Sequence, residues 1–365
     1  MPEGPILAGR VMTAAEAIRE ALDAAMSADP AVYLIGEGVA DPKGIFGTTL
    51  GLAEKYGPQR VIEMPVAENG LTGVAIGSAL MGQRPVMIHQ RVEFCLLAME
   101  QVVNNAAKLH YVSNGRHRVP LVIRLIVGRG WGQGPQHSQS LEALFAHVPG
   151  LKVVMPATAA DAKGLLLGAI ADDNPVVFIE HRWIHYARGR VPDGAAPMPL
   201  DGPRRLRAGG DVTVVATSNM VLEAMQAAEA LAEAGCAVDL FDLRVLRPLD
   251  VTPIVASVRR TGRLVFVDTG YMTYGIGAEV TARVTEACVD ALKAAPRRLG
   301  LPDHPTPSSR SLAEAYYPRS SHIAAAIGEV AGLDGNAVAA VTEAVAAQRE
   351  DLPLDIPHPA FRGPF

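Results

Sequence analysis

The sequence has little of what marks several large classes of protein. It contains only three cysteines in 365 residues, far apart and outside any CxxC or Cys/His pattern, so a disulfide framework and a zinc site are excluded. No run of about 18 apolar residues occurs, which excludes a membrane-spanning helix. The net charge is −5 and there is no basic run, which argues against nucleic-acid binding. The first residues lack the pattern of a secretory signal, and with reduced cysteines this predicts a cytoplasmic protein.

Several motifs for nucleotide binding and nucleophilic catalysis are also absent. The sequence has no GxGxxG that opens a helix after a strand, no GxxxxGK[ST] phosphate loop and no GxSxG nucleophile elbow. The glycine-rich run from Gly128 to Gly134 follows an apolar strand, but its spacing fits none of these motifs. We interpret it as a loop whose glycines adopt unusual backbone angles beside a ligand.

Short apolar strands alternate with helical segments along most of the chain. In the first half the pattern predicts strands at 31–35, 61–64, 85–89, 121–127, 151–155 and 176–180, and helices that include 93–111 and 159–171. This rhythm is typical of βαβ units and predicts an α/β fold with a mainly parallel sheet. Strands at 212–216, 237–243 and 264–268, with a helix at 220–234, predict a second α/β domain.

The stretch between the two predicted domains is rich in proline and glycine and has no helical period, which is typical of a linker. The residues after about 340 end in a proline-rich run that cannot be helical. The sequence therefore predicts domains at 1–187 and 211–340, a linker at 188–210 and a C-terminal extension at 341–365.

Three side chains near predicted strand ends are candidates for chemistry. His137 follows the strand at 121–127, where open α/β sheets bind ligands, although neighbouring backbone alone can satisfy such a histidine. Glu68 opens a helix of small and apolar residues, so we expect it to be shielded from water. Burial favours a protonated carboxyl and a helix N-terminus favours a charged one, which suits proton exchange with a ligand; a purely structural charge is the alternative. Phe94 is either a core residue or a flat platform for a ligand.

An ordered series of short motifs extends over nearly the whole chain. It comprises residues 36–39, 55–58, 60–62, 68–73, 100–108, 135–139, 149–154, 161–164, 173–177, 242–250, 275–279 and 316–318. In this order the motifs resemble the β subunit of the first component (E1) of thiamine diphosphate-dependent 2-oxo acid dehydrogenases, of the pyruvate, branched-chain and acetoin type. The resemblance implies two domains, each a mainly parallel sheet flanked by helices: a transketolase-like pyrimidine-binding domain and a transketolase C-terminal domain.

The resemblance also implies roles for individual residues. Glu68 matches the glutamate that contacts N1′ of the cofactor's aminopyrimidine and thereby helps to remove the proton from thiazolium C2, and Phe94 matches the ring packed on the pyrimidine. Glu37 and Leu97 match further positions on the cofactor side. His137 matches a histidine of the active-site channel that handles a proton or an oxyanion during acyl transfer. In some relatives a structural potassium ion is held by a loop whose residues match Leu121, Ala169, Asp172 and Asn174.

The superfamily binds the diphosphate and Mg²⁺ through a GDG motif, which this chain lacks. The resemblance places that motif on a separate α subunit and implies an α2β2 heterotetramer, in which this chain supplies the pyrimidine side of the site and is inactive alone. The expected activity is decarboxylation of a small 2-oxo acid such as pyruvate, with transfer of the acyl group to a lipoyl-bearing acyltransferase (E2).

Departures from the family pattern leave two alternatives open. Leu97 stands where many relatives carry Gln, and Glu37 stands alone where relatives often have two glutamates. The loop before Gln136 is bulkier and more basic than usual, so Arg129 and Trp131 are candidates to clamp an anionic or polyhydroxylated substrate, together with Gln136. A second hypothesis is therefore a transketolase-like or acyloin-forming enzyme that transfers a two-carbon unit to an aldehyde or ketone. A third is a non-catalytic assembly subunit.

Overall fold

The computed structural model describes residues 9–129 and 133–348. They form two compact units: residues 9–129 with 144–200, and residues 133–143 with 201–348. Both units alternate strands and helices around mainly parallel sheets, which confirms the α/β class expected from the sequence. Within the described ranges, no helix has the length and apolar character needed to cross a membrane.

The first unit contains eight of the strands and the first eight helices among the described residues. The strands are β1 (Arg10–Thr13), β2 (Val32–Gly36), β3 (Val61–Glu63), β4 (Arg84–His89), β5 (Val122–Val127), β6 (Lys152–Val154), β7 (Val176–His181) and β8 (Arg188–Val191). The helices are α1 (Ala14–Ala28), α2 (Gly44–Gly47), α3 (Leu52–Tyr56), α4 (Glu68–Leu80), α5 (Val92–Cys95), α6 (Ala107–Val112), α7 (Glu142–Ala146, divided between the two units) and α8 (Ala159–Ala171).

The main sheet of the first unit follows the order β6-β7-β5-β4-β2-β3, and every neighbouring pair is parallel. All residues of β2, β5 and β7 are buried, as expected of a parallel sheet covered on both faces. Because the strands are parallel, their carboxyl ends share one edge. The loops that carry Glu37, Glu68, Phe94 and Arg129 all leave the sheet at that edge.

The helix predicted at 93–111 is broken into four pieces. After α5 come a 3₁₀ turn at Leu96–Ala98, a π-helix at Gln101–Ala106 and then α6. The π-helix keeps Val102 and Ala106 buried, while the Asn105 amide donates a hydrogen bond to Gln101 Oε1 at 3.0 Å on the outer side. The wider turn of the π-helix therefore lets one segment place apolar side chains inside and hydrogen-bonded polar side chains outside.

The second unit is built around a sheet of the order β14-β13-β10-β11-β9, parallel except for the antiparallel edge strand β9. The strands are β9 (Arg204–Arg207), β10 (Val212–Ala216), β11 (Val238–Asp242), β12 (Val245–Arg247), β13 (Leu264–Tyr271) and β14 (Arg297–Leu301). The helices are α9 (Asn219–Glu233), α10 (Thr252–Thr261), α11 (Ile276–Cys288), α12 (Arg310–Ala313), α13 (Ser320–Ala331) and α14 (Gly335–Ala347), and short 3₁₀ turns occur at Arg182–Tyr186 in the first unit and Val289–Ala291 in the second.

The segment predicted as a linker is more ordered than its composition suggests. Within 188–210, β8 pairs with β1 and β9 pairs with β11, so two strands lie where only irregular chain was expected. Both strands are rich in arginine and take their structure from the strands they pair with. The predicted extension 341–365 begins inside α14, and the rest of it lies outside the described residues.

Candidate active site

Three carboxylates lie at the carboxyl edge of the first sheet. Glu63 ends β3 and accepts hydrogen bonds from the backbone N–H groups of Gly38, at 2.6 Å, and Ala40, at 3.0 Å, which fixes the loop after β2. Glu68 opens α4 and is only 4% exposed, so the predicted shielding is confirmed. Glu37 has a buried Oε1 without a hydrogen-bond partner among the described residues. Its pKa is raised, first by burial and then by the negative charges of Glu68 and Glu63. A carboxyl with an unused oxygen therefore stands within electrostatic reach of Glu68.

Helix α4 buries only one of its faces in this chain. The small and apolar residues of this helix predicted that it is buried. Thr72, one turn after Glu68, is fully buried, and its hydroxyl has no hydrogen-bond partner among the described residues. On the opposite face Val74 is 58% exposed and Met81, just after the helix, is 83% exposed. The prediction was wrong for this outer face, which is apolar and accessible.

The segment after β4 places apolar side chains beside α4. Helix α5 buries Val92 and Cys95, which leaves Phe94 half-buried on the other side and Leu97 63% exposed in the 3₁₀ turn that follows. This turn packs against α4, which begins with Glu68. The structure therefore brings the segment with the ring and the aliphatic side chain against the helix that carries the shielded acid.

A fully buried ionic network lies beneath the same edge and was not predicted. Arg124, in the middle of β5, donates from Nε to Glu180 Oε1 at 2.5 Å and from Nη2 to Oε2 at 2.9 Å, and His185 Nε2 lies 2.9 Å from Oε2. Burial alone would raise the pKa of Glu180, but the charge of Arg124 and the hydrogen bond with His185 outweigh it and lower the pKa to about 2. The sequence did contain a sign of this network, because Arg124 stands inside the apolar run 121–127. An arginine buried in such a strand requires a buried acid as its partner.

His137 belongs to the second unit and is exposed there. Its loop is held by local hydrogen bonds: the buried Ser138 hydroxyl donates to Gln133 O at 3.2 Å, and the Gln139 amide donates to Gln136 O at 3.0 Å. Gln136 is exposed as well. Both residues predicted to meet substrate are thus accessible within their own unit.

Arg129 and Trp131 were predicted to clamp a substrate, and only Arg129 lies among the described residues. Arg129 is buried, and its carbonyl accepts a hydrogen bond from Trp183 Nε1 at 2.8 Å. Arg129 is thus 2% exposed in this chain, and its role in binding a substrate stays a prediction. Trp131 lies outside the described residues.

The residues predicted to hold potassium lie around the end of α8 and the start of β5. They are Leu121, Ala169, Asp172 and Asn174. The carboxylate of Asp172 accepts hydrogen bonds from the backbone and side-chain amides of Asn174 and pairs with the ammonium of Lys152. Arg84 donates to the Asp172 carbonyl at 3.2 Å. A potassium ion in this loop would therefore have backbone carbonyls as its main ligands.

A cofactor pyrimidine fits the donor set of the first unit. A buried acid at a helix start, a second carboxyl with an unused oxygen and a half-buried ring are suited to a flat, nitrogen-bearing heterocycle. In residues 9–129 and 133–348, no group of three or more His, Cys, Asp or Glu side chains is arranged to hold a metal ion.

Comparisons with known proteins agree with this geometry. Residues 10–184 match the model of the transketolase pyrimidine binding domain and residues 203–323 that of the transketolase C-terminal domain. The chain is 41% identical over 320 residues to the rice (Oryza sativa subsp. japonica) protein named pyruvate dehydrogenase E1 component subunit beta-2, mitochondrial, covering 87% of this chain and 85% of that one. It is 38% identical to the corresponding Rickettsia felis subunit, covering 87% and 98% of the two chains.

A relative with a different name is equally similar. The β subunit of acetoin:2,6-dichlorophenolindophenol oxidoreductase from Cupriavidus necator is 40% identical, covering 85% of this chain and 94% of that one. Among solved structures, a chain named split gene transketolase, inactive beta4 tetramer, has a TM-score of 0.73 and 25% identity, covering 88% of this chain and 99% of that one. The chain therefore belongs to the family of β subunits of thiamine diphosphate-dependent 2-oxo acid dehydrogenase E1 components, which confirms the family expected from its motifs.

Proposed function

We propose that this chain completes a thiamine diphosphate site together with an α subunit, and that the assembled enzyme decarboxylates a small 2-oxo acid such as pyruvate. The observation that carries the proposal is the buried Glu68 at the start of α4, beside a second carboxyl, Glu37, that has an unused oxygen. When bound, the cofactor supplies the carbon nucleophile and the electron sink that loss of carbon dioxide requires.

The residues of this chain would prepare and shield that chemistry. Glu68 holds a proton at the pyrimidine nitrogen N1′, where an acid out of water can exchange it with the ring. Glu37, whose pKa is raised by burial and by the charges of Glu68 and Glu63, supplies a neighbouring carboxyl for that exchange. Phe94 and Leu97 provide apolar contact to the ring and exclude water. His137 is accessible and accepts or donates a proton at the substrate oxygen.

The partner is an α subunit that carries the diphosphate and Mg²⁺ site, in an α2β2 heterotetramer. The exposed apolar face with Val74 and Met81 supports a protein partner, because it adjoins the helix that carries Glu68. A structural potassium ion at the loop with Asp172 is part of the proposal, with backbone carbonyls as ligands. We further propose a cytoplasmic location; the rice relative is named mitochondrial.

Replacing Glu68 by Gln in the αβ complex tests the proposal. We expect the rate of 2-oxo acid decarboxylation to fall by about 10²- to 10⁴-fold, the range for loss of a positioned acid, with the complex still assembled. The exposed Glu54→Gln of the same unit is the matched control and is expected to keep full activity. A Glu68→Gln complex that keeps most of the rate would refute the role of Glu68 and would favour the assembly-subunit hypothesis.

Experiments on the same complexes identify the acceptor of the acyl group. We expect reductive acylation of a lipoyl domain, as for an enzyme that serves a lipoyl-bearing E2. Formation of an acyloin from an added aldehyde, without lipoyl acylation, would instead establish the carboligating alternative. Both products are measured with wild-type enzyme and with Glu68→Gln, so that background reactions are subtracted.

A further inference from the structure

We propose that Arg91 is a positioning residue that fixes the start of α5, and with it Phe94, at the pyrimidine side of the site. The inference rests on the proposed function, since it assigns to Arg91 the task of holding a side chain that contacts the cofactor. Arg91 is not one of the acid pair of Glu37 and Glu68, and we propose that its effect on the cofactor is transmitted through Phe94.

Helix α5 has only four residues and cannot be stable by itself, because helix nucleation is costly. Its inner side is fixed by the fully buried Val92 and Cys95. Its start is fixed by Arg91, the extended residue that precedes it, whose carbonyl accepts the hydrogen bond from Phe94 N at 3.3 Å. The orientation of Phe94 therefore depends on how firmly Arg91 is held.

The Arg91 side chain ties this helix start to two other strands. Arg91 is 4% exposed, and its guanidinium donates from Nη1 to Gly128 O, just after β5, at 2.8 Å. Gly128 has φ +81°, and a Cβ built on it would lie 2.2 Å from Nε2 of His181, the last residue of β7. No larger residue fits between Gly128 and His181, so the carbonyl that receives Arg91 belongs to a tightly packed residue.

The segment after β2 also contacts the Arg91 guanidinium. Arg91 Cζ lies 5.5 Å from the centroid of the Phe46 ring, and Arg182 Cζ lies 4.1 Å from it. Phe46 has φ +57°, a left-handed conformation that costs free energy in a bulky residue and persists only where the surroundings hold it. Phe46 lies in α2, within the segment after β2 that begins with Glu37. Arg91 thus joins the segments that follow β2, β4, β5 and β7.

The test measures cofactor affinity in the αβ complex, by titrating thiamine diphosphate with Mg²⁺ present and following intrinsic fluorescence. We expect Arg91→Met to raise the Kd about 10-fold, as is common when a residue that orients a ligand-contacting side chain is removed. We expect Arg91→Lys, which retains the charge and one donor, to restore part of the affinity. In a Phe94→Ala background, Arg91→Met is expected to change the Kd less than twofold, because Arg91 acts through the ring.

Arg60→Met is the matched control. Arg60 is a guanidinium of the same unit that also donates to carbonyls, those of Met26, Asp29 and Val32, but it lies at the amino edge of the sheet, before β3. We expect it to lower the melting temperature without changing the Kd. Hydrogen exchange at the Phe94 amide is the second readout and is expected to be faster in Arg91→Met than in Arg60→Met.

An unchanged Kd in Arg91→Met, or effects of Arg91→Met and Phe94→Ala that simply add, would overturn the inference and leave the proposed function intact. A wild-type complex that fails to bind thiamine diphosphate would overturn the proposed function, and the inference with it. Where Arg91→Met does not assemble, Arg91→Gln, which is too short to reach Gly128 O, is judged by the same two criteria.

Discussion

Replacing Glu142 by Gln should remove a pH dependence from the stability of the second unit. Glu142 is buried, and its Oε2 has no hydrogen-bond partner among the described residues. Its carboxyl lies so close to Gly270 that a Cβ built there would be 1.9 Å from Oε1. Asp268, also buried, accepts hydrogen bonds from the N–H groups of Gly270 and Gly277. Burial, and then the charge of Asp268, raise the pKa of Glu142 to about 8, so the carboxyl stays protonated at neutral pH.

The sign and size of this pH dependence follow from the linkage between protonation and folding. The folded pKa of Glu142 is above its ordinary value of 4.5, so its stabilising contribution is complete below pH 4.5 and is lost as the pH rises toward 8. One pKa unit corresponds to about 1.4 kcal/mol. Between pH 5 and pH 7 the wild type should therefore lose about 2 to 3 kcal/mol of unfolding free energy relative to Glu142→Gln, which cannot ionise.

The assay is urea unfolding of both proteins from pH 5 to pH 9, followed by circular dichroism, with the difference between them plotted against pH. Groups that do not interact with Glu142 contribute equally in both proteins and cancel in this difference. The exposed Glu233→Gln, in α9 of the same unit, is the control and should give a flat difference. A flat difference for Glu142→Gln as well would refute the assignment of a buried, protonated carboxyl.

Three further outcomes are expected in the first unit. Arg124→Met should lower the unfolding free energy by about 3 to 5 kcal/mol, because it leaves Glu180 charged and buried without its main partner; a loss below about 1 kcal/mol in denaturant titrations would contradict this. Gly150→Ala should lower it by about 2 kcal/mol or more, since φ is +101° and the new Cβ would lie 1.9 Å from Ala107 O; an unchanged melting temperature would count against that contact. Burial, and then neighbouring charges, lower the pKa of His181 to about 3, so its contribution is complete above pH 6.5 and is lost as the pH falls toward 3; the difference between wild type and His181→Gln should shrink over that range, by about 1.4 kcal/mol per unit.

Strands and helices with a clear hydrophobic pattern of their own were predictable from the sequence. The strand expected at 212–216 is β10, and the helix expected at 159–171 is α8. Both are rich in apolar residues spaced as a buried strand or helix requires. The break of the helix at 93–111 was not predictable, because the π-helix at Gln101–Ala106 depends on which side chains the sheet and α4 bury. Strand β9 was missed because its four residues, three of them arginine, carry no strand pattern and pair only as a sheet edge.

Some features of the candidate site were likewise predictable from the sequence, and others were not. The shielding of Glu68 followed from the small and apolar residues of its own helix. The part played by Arg91 could not be foreseen, since its hydrogen bond to Gly128 and its contact with Phe46 join residues 37 and 45 positions distant in the sequence. Long-range contacts of this kind exist only once the strand-end loops have assembled.

The half-covered helix α4 has a consequence for how cells must make this protein. A subunit synthesised in excess of its companion leaves Val74, Leu80 and Met81 in contact with water. Side chains of this kind attract one another, so surplus copies would associate among themselves and be removed by quality control. If the proposed α subunit covers this face, we therefore expect cells to make the two subunits in similar amounts.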